Sequence, residues 1–172
     1  MKSGIVRKID ELGRIVIPKE IRKTLKLNTG DEVEIFVDDN KVYLKRFSTL
    51  LGLEEELFNI SKVINEQFNC SIIFADQNKI IVSYGKLSEK YLDMEINDSI
   101  YKKITDLNFV KFENINITNN YTENRKTYIA PIYNKKSIQG LFIIIENDKP
   151  ISLNTIESIN NFKKFIIKQL DS

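Results

Sequence analysis

The chain has 172 residues, a formal net charge of +2 at pH 7, no histidine and one cysteine, Cys70. Without histidine it lacks the commonest general base and transition-metal ligand, and one cysteine cannot form an intrachain disulfide, a CxxC pair or a zinc cluster. Neither a P-loop nor a GxGxxG phosphate loop occurs. The sequence therefore predicts a protein that is not an enzyme, has no metal site or cofactor, and uses Cys70 for packing.

Charge is distributed unevenly along the chain. Residues 1–27 contain eight basic and three acidic side chains, whereas residues 51–172 contain 15 basic and 16 acidic ones. A basic segment on an otherwise balanced chain favours a polyanionic partner for that segment. An ordinary solvated basic surface is the alternative interpretation.

The first elements predicted are two short strands and a basic helix. β-Branched runs at 5–9 and 14–17 flank a turn at 10–13, and Pro18 suits the first turn of a helix. Helical spacing places four cations on one face of that helix and Ile21 and Leu25 on the other, with the end of the helix near 28–30. The four cations are Lys19, Arg22, Lys23 and Lys26.

A second hairpin follows, with apolar alternation at 33–37 and 42–44 around a turn at 38–40. The order hairpin, helix, hairpin occupies fewer than 50 residues. A unit of this size buries little surface and has no disulfide or metal to reinforce it, so the sequence predicts a dimer.

The run GIVRKIDELGRIVIPKEIRKTLKL, followed by GDEVEIFVDDNKVYLKR, resembles the DNA-binding domain of the AbrB-type transition-state regulators. The resemblance implies that residues 1–47 form an intertwined swapped-hairpin β-barrel dimer with the element order β-β-α-β-β. It also implies that arginines at the matching positions face double-stranded DNA.

The resemblance implies DNA contacts for Arg7, Arg14, Arg22 and Lys23. The predicted DNA-binding residues are these four together with Lys8 and Lys19. Lys8 and Lys19 suit phosphate contacts. Lys23 stands where relatives often carry arginine, which retains the charge but loses the planar fork that binds a base edge. We interpret Lys41, Lys45 and Arg46 as solvated hairpin charges.

A short junction, residues 48–55, leads into a helix over 53–69 with apolar residues in 4-3-4 spacing. This spacing is typical of a packing seam, either within the domain or against the same helix of a partner chain, and we favour the subunit contact. The seam consists of Leu53, Leu57, Ile60 and Ile64.

Residues 53–172 are predicted to form one α+β domain. Strands are expected at 71–75 and 80–84, helices within 87–107, and a long hairpin at 127–133 and 137–145 around 134–136. Gly140 lies inside a strand, which indicates close packing or a bulge, and Asn154 with Glu157 resembles a capping box for a last helix. The polar stretch 116–124 is interpreted as a mobile loop. This order of elements is similar to a GAF domain, which implies a sensing or oligomerisation module.

A ligand-binding site in this domain cannot be assigned from the sequence. Tyr84, Tyr91, Tyr101 and Tyr128 combine an apolar ring with a polar tip, as pocket-lining residues often do. Their interpretation as core or rim aromatics is favoured. An unidentified small molecule remains a partner that the GAF resemblance allows.

The combined hypothesis is a homo-oligomeric transcription regulator that binds A·T-rich promoter DNA as a dimer of swapped-hairpin dimers, that is, a tetramer. The resemblance implies activation and repression of late, forespore-stage sporulation genes. No signal peptide or long apolar run is present, which predicts a cytoplasmic, nucleoid-associated protein with no membrane contact. The alternatives are an antitoxin-like DNA-binding protein whose C-terminal segment holds a protein partner, and a metabolite-binding module.

Overall fold

A computed structural model describes residues 4–86, 88–104, 106–134 and 137–170, apart from the side chains of residues 88 and 89. The chain divides into two compact units, Met1–Phe47 and Ser48–Ser172.

The first unit contains one short helix, α1 (Lys19–Thr24), and an antiparallel hairpin of β1 (Val33–Asp38) and β2 (Lys41–Arg46). Asp39 and Asn40 connect the strands with φ values of 46° and 58°. Two successive residues of positive φ are what a type I′ turn requires, and its twist matches that of the flanking strands. The second predicted hairpin is therefore present, with its turn one residue shorter than expected.

The two strands predicted at 5–9 and 14–17 are not formed within the single chain. Residues 4–18 contain no strand, although the backbone does reverse direction at 10–14. The apolar side chains of this segment are exposed, Val6 by 88% and Val16 by 76%. A strand needs a hydrogen-bonding neighbour, and no strand among the described residues pairs with this segment.

Helix α1 is shorter than the sequence predicts and excludes Lys26. Lys26 has a φ of 53°, and the N–H of Leu27 donates to the carbonyl of Arg22 at 2.8 Å. The N–H of Lys26 donates to the carbonyl of Lys23 at 3.2 Å. These two bonds form a Schellman ending, which turns the chain and buries Leu27.

The second unit is built around a five-stranded antiparallel sheet of strand order β4-β3-β9-β8-β5. A separate hairpin of two strands pairs β6 with β7. The strands are β3 (Cys70–Asp76), β4 (Ile80–Tyr84), β5 (Val110–Phe112), β6 (Ile115–Thr118), β7 (Tyr121–Glu123), β8 (Thr127–Asn134) and β9 (Ser137–Glu146). The helices are a 3-10 turn (Thr49–Leu53), α2 (Glu54–Phe68), α3 (Ser88–Tyr91), α4 (Ser99–Lys103) and α5 (Leu153–Leu170).

Both faces of the large sheet are covered, so all seven residues of β3 are buried. Ile72 and Phe74 point into one apolar cluster, which contains Leu57 of α2 and Ile159 of α5. Ile73 and Ala75 point into the opposite cluster, to which α3, α4 and the β6–β7 hairpin contribute side chains. Because successive side chains of a strand point to opposite faces of the sheet, β3 contributes to an apolar core on each face.

The apolar seam of α2 packs within its own domain. Leu57 and Ile64 are buried in the sheet core, and Leu53 and Ile60 pack against the same cluster. The subunit contact favoured for this seam is wrong, because the sheet supplies a large apolar face directly beneath the helix.

The polar composition of 116–124 led to the prediction of a loop, but this stretch contains two strands. β6 and β7 form an antiparallel hairpin there, and Ile115 and Ile117 are buried in the second core. The polar residues hid two strands because only alternate side chains of an edge hairpin face inward.

Two local predictions concern Gly140 and the start of α5. A Cβ built on Gly140 would lie 2.0 Å from the carbonyl oxygen of Ala75, so the predicted close packing is confirmed. The cap of α5 is Ser152, whose hydroxyl accepts the N–H of Thr155 at 3.1 Å. The capping box predicted at Asn154 is therefore wrong by two residues.

Four residues of the predicted elements lie outside the described residues. They are Lys135 and Lys136 of the predicted turn, and Leu87 and Thr105 of the predicted helical region.

Candidate nucleic-acid interface

Helix α1 presents an exposed cationic face. Lys19, Arg22 and Lys23 stand at i, i+3 and i+4 and are all exposed, and no residue of the helix is buried. The helix begins at Lys19, and Pro18 is its N-cap, with a ψ of 151° and no side-chain cap. Pro18 therefore lies just before the first turn rather than in it, and its carbonyl accepts the N–H of Arg22 at 2.9 Å.

Arg14 is held in a tight turn by Asp10. One carboxylate oxygen of Asp10 accepts the backbone N–H groups of Leu12, at 3.0 Å, and Arg14, at 2.8 Å. The other oxygen accepts the Arg14 Nε–H at 2.8 Å. Bonds from the Arg14 backbone and then its side chain lower the pKa of the Asp10 carboxyl below its ordinary value, with Leu12 adding a smaller effect. Gly13, with a φ of 75°, allows the chain to close.

Arg7 and Lys8 lie on the exposed segment before this turn. The Arg7 guanidinium donates to the adjacent carbonyl of Val6, at 3.3 Å. All six predicted DNA-binding side chains are thus exposed. The structure groups three of them on α1, fixes Arg14 at the turn, and gives no contact that joins Arg7 or Lys8 to the others.

Arg46 is not the solvated charge that the sequence suggested. Its Nη2 lies 2.9 Å from Asp31 Oδ1, and the two side chains are only 7% and 2% exposed. The other Asp31 oxygen accepts the backbone N–H of Asn28 at 2.7 Å. The pair therefore joins the loop after α1 to strand β2. By contrast Lys45, paired with Glu34 at 2.8 Å, is half exposed as expected.

Asp10 and Asp31 are the residues of this unit that the sequence reasoning missed. A signal for the first was present, because aspartate followed by glycine three positions later is typical of a side-chain-capped turn. The distant pairing of Asp31 with Arg46, 15 residues apart, leaves no local signature.

The aromatic candidates of the second unit are mostly structural. The Tyr91 hydroxyl donates to Glu123 at 2.7 Å and that of Tyr128 to Glu146 at 3.1 Å, both in buried surroundings. Burial, reinforced by the carboxylate, raises the pKa of Tyr128 to about 12. Tyr101 donates to the carbonyl of Asp76 at 3.3 Å.

The described residues of this unit line a larger and a smaller polar cleft. Tyr84 lines a cleft of about 430 Å³ together with asparagine side chains and the exposed Lys86–Asp148 ion pair. A smaller one of about 220 Å³ lies beside Thr118 and Glu95. Neither has the largely apolar lining usual for small-molecule sites, so neither identifies a ligand.

Within the described ranges, no group of three or more acidic or cysteine side chains could hold a metal ion. The same residues include no helix long and apolar enough to cross a membrane. Cys70 is fully buried, and burial raises its pKa to about 12, as suits a packing residue.

Comparison with known proteins defines the class of the first unit. Residues 6–46 match the family model described as "Antidote-toxin recognition MazE, bacterial antitoxin". The transition state regulatory protein AbrB of Bacillus subtilis (strain 168) is 60% identical over 48 residues, which are 27% of this chain and 50% of AbrB. The N-terminal unit is therefore of the MazE/AbrB type, as the sequence motif predicts.

The whole chain is similar to one curated protein over nearly its full length. Stage V sporulation protein T of Bacillus subtilis (strain 168) is 28% identical over 174 residues, covering 98% of each protein. The resemblance to an AbrB-type regulator with a second domain is confirmed. The matched names describe a regulatory protein, an antitoxin and a sporulation protein, and these relatives support the prediction that the chain is not an enzyme.

The fold of the second unit is similar to a GAF domain. The crystal structure of the second GAF domain of DevS from Mycobacterium smegmatis covers 68% of this chain and 92% of its own, with a TM-score of 0.52 and 8% sequence identity. Because the sequence identity is only 8%, this similarity supports the fold of the second unit and nothing about its function. The predicted two-domain architecture, an AbrB-type unit followed by a GAF-like one, is confirmed at this level.

Proposed function

We propose that the protein is a homo-oligomeric, DNA-binding transcription regulator of sporulation genes. The observation that carries the proposal is the AbrB-type unit with six exposed cations, joined to a GAF-like domain in a chain similar throughout to a sporulation protein. In this proposal Arg7, Lys8, Arg14, Lys19, Arg22 and Lys23 face duplex DNA. Such a regulator works in the cytoplasm, associated with the nucleoid.

The DNA-binding form is a swapped-hairpin dimer. Residues 4–18 expose a row of apolar side chains and lack strand partners in their own chain. Pairing this segment with a second copy would satisfy its backbone groups and cover its apolar surface at once. The domain bounds that go with this form are residues 1–47, a junction at 48–55 and a GAF-like domain from 53 to 172.

A second dimer contact between GAF-like domains would complete a tetramer. Phe58 and Val63 of α2 and Phe165 of α5 are large apolar side chains that are about half exposed. Both helices cover the same face of the sheet, so these residues provide an outward apolar surface beside the inward core seam.

Recognition should rest on phosphates and on DNA shape more than on base edges. Most of the six cations are suited to phosphate contacts, and only arginine offers a bidentate fork for a base. The resemblance to AbrB-type regulators implies a preference for A·T-rich promoters, with activation at some and repression at others, and recognition of deformable DNA is consistent with that preference. A small molecule bound to the GAF-like domain would modulate it.

The test is binding of full-length protein to an A·T-rich promoter fragment and a G·C-rich control across a salt series, with sedimentation on the same sample. We expect promoter preference, a tetramer, and an affinity that falls steeply with salt because several phosphates are neutralised. An intact oligomer that binds neither fragment at moderate salt would contradict the proposal.

Charge-removing variants test the assigned residues. Arg14→Ala, and Arg22→Ala combined with Lys23→Ala, should abolish specific binding while the oligomer remains intact. Lys41→Ala, at the exposed first residue of β2 and outside the assigned set, is the matched control and should bind within about twofold of the wild type. Loss of assembly in the arginine variants would show that these side chains are structural.

The antitoxin-like function is the second candidate, favoured by the family match at residues 6–46. Against it stands the second unit, which has two apolar cores rather than a short segment suited to folding on a toxin. A metabolite-binding module with incidental DNA affinity is the third. It would bind a small molecule tightly with little effect on DNA affinity.

A further inference from the structure

We propose that Asp10 is a positioning residue for DNA recognition, which orients the Arg14 guanidinium so that its outer edge meets the DNA. The inference rests on the proposed function, because it concerns how Arg14 performs the DNA contact assigned to it. Nothing in the comparisons assigns a role to an acidic residue of this unit.

The geometry divides the guanidinium into a held side and an outward side. Asp10 Oδ2 accepts the Arg14 Nε–H at 2.8 Å, and the Arg14 side chain remains 70% exposed. The two terminal nitrogens are the pair that forms a bidentate contact with guanine or with a phosphate. Because Asp10 engages Nε, the terminal pair remains available to DNA on a side chain that has fewer rotamers to lose on binding.

The contact is local and does not depend on assembly. The Asp10 carboxylate also accepts the backbone N–H groups of Leu12 and Arg14, and the Asp10 N–H donates to the Arg14 carbonyl at 3.0 Å. Five residues therefore form a closed turn before any second chain pairs with them. Since the backbone bonds use Oδ1 and the Arg14 Nε–H uses Oδ2, the turn and the side-chain contact can be separated by mutation.

Coulomb's law alone makes the opposite prediction. A carboxylate beside a polyanion repels it, so removing the charge should strengthen binding. A positioning role predicts that removing the charge weakens binding, because Arg14 loses its orientation. The sign of the change decides between the two.

The experiment compares Asp10→Asn with Glu11→Gln in the full-length oligomer on the A·T-rich promoter and the G·C-rich control. Asparagine retains an oxygen for the backbone N–H groups but cannot accept from Nε, while Glu11→Gln removes a charge from the same turn. We expect Asp10→Asn to weaken promoter binding by roughly tenfold and reduce promoter preference, as the loss of one charge-assisted contact would. Glu11→Gln should bind as tightly as the wild type or tighter.

Repeating Asp10→Asn in an Arg14→Ala background separates positioning from folding. There the substitution should strengthen the residual nonspecific binding, measured at low salt, because only the repulsion of the carboxylate is left to remove. Weakening in both backgrounds, or loss of the oligomer, would show that Asp10 serves only the turn and would overturn the proposal. So would tighter binding by Asp10→Asn with Arg14 present.

A measurement on the wild-type protein needs no variant. The Arg14 Nε–H resonance in NMR should respond to acid with the titration of Asp10, at a pH below the ordinary carboxyl range. If the chemical shift of the Arg14 Nε–H does not change as Asp10 is protonated, the contact is absent in solution. Failure of the wild-type chain to bind either DNA fragment would instead count against the proposed function.

Discussion

At the scale of single residues, exposure separates the charged side chains of the N-terminal unit into two kinds. Arg22 and Lys23 have solvent around them and remain available to a partner, whereas Arg46 and Asp31 are enclosed together. A buried pair is costly to break, since the remaining charge has lost its water. The amino-acid composition treats all four residues as charges and does not show that two are exposed while the other two form a buried ion pair.

Asp31→Ala should destabilise the N-terminal unit by about 3 kcal/mol, because it leaves the Arg46 guanidinium buried without its carboxylate. Lys45→Ala, which breaks the exposed pair with Glu34, should cost under about 1 kcal/mol. Urea unfolding at one fixed protein concentration, followed by circular dichroism, gives both values. Equal losses in the two variants would mean that the Asp31–Arg46 pair is solvated.

Gly140→Ala should destabilise the second unit by about 3 kcal/mol or more, because the added Cβ would meet the Ala75 carbonyl oxygen and the Leu50 side chain. Gly52→Ala is the matched control, since nothing lies within 4 Å of its Cβ position. The midpoints of thermal unfolding compare the two. A Gly140→Ala variant as stable as Gly52→Ala would contradict the close approach of β3 and β9.

Cys70 should resist alkylation in the native protein. Burial raises its pKa to about 12, so near pH 8 almost no thiolate is present and no reagent reaches the sulfur. Iodoacetamide at pH 8 should leave the folded chain unlabelled and label it fully in concentrated urea, as read by mass spectrometry. Rapid labelling without urea would show that β3 opens at its first residue.

At the scale of elements, the sequence predicts those parts whose apolar period is complete. α2, β3, β8, β9 and α5 follow the predicted ranges closely, because each carries an uninterrupted buried stripe or run. The β6–β7 hairpin was missed because asparagine and threonine dominate its outward positions. The end of α1 was predicted too far along the chain, because Lys26 adopts a positive φ and lysine rarely does so.

The candidate site was predictable to a different degree. A long sequence motif identified the six cations, and the structure places all of them at the surface. The aspartates that hold Arg14 and Arg46 were not found, although the spacing of Asp10 and Gly13 signalled the turn, because the contact of each aspartate with its arginine depends on hydrogen-bond geometry. Their discovery required coordinates for the turn at 10–14 and the loop at 28–31.

At the scale of the whole molecule, the N-terminal unit exposes apolar side chains along residues 4–18, among them Val16 at 76%. Val16→Asp should therefore dissociate the DNA-binding form, since a charge would be buried without a partner in the proposed barrel. Sedimentation should show a smaller assembly, and DNA binding should be lost with it. Leu107→Asp, at an apolar residue of the second unit that is 62% exposed, is the control and should leave both unchanged.

An unchanged assembly in Val16→Asp would mean that residues 4–18 are not part of the subunit contact. The GAF-like domains alone would then have to account for any oligomer. The swapped-hairpin form would lose its main support.

The exposed apolar segment at residues 4–18 also has a consequence for gene dosage. If two chains must meet before one functional head exists, the amount of that head at low abundance grows with the square of the number of chains. Doubling synthesis would then raise promoter occupancy up to fourfold, and halving it would lower occupancy as sharply. A regulator built in this way responds to its own supply more steeply than a monomer could.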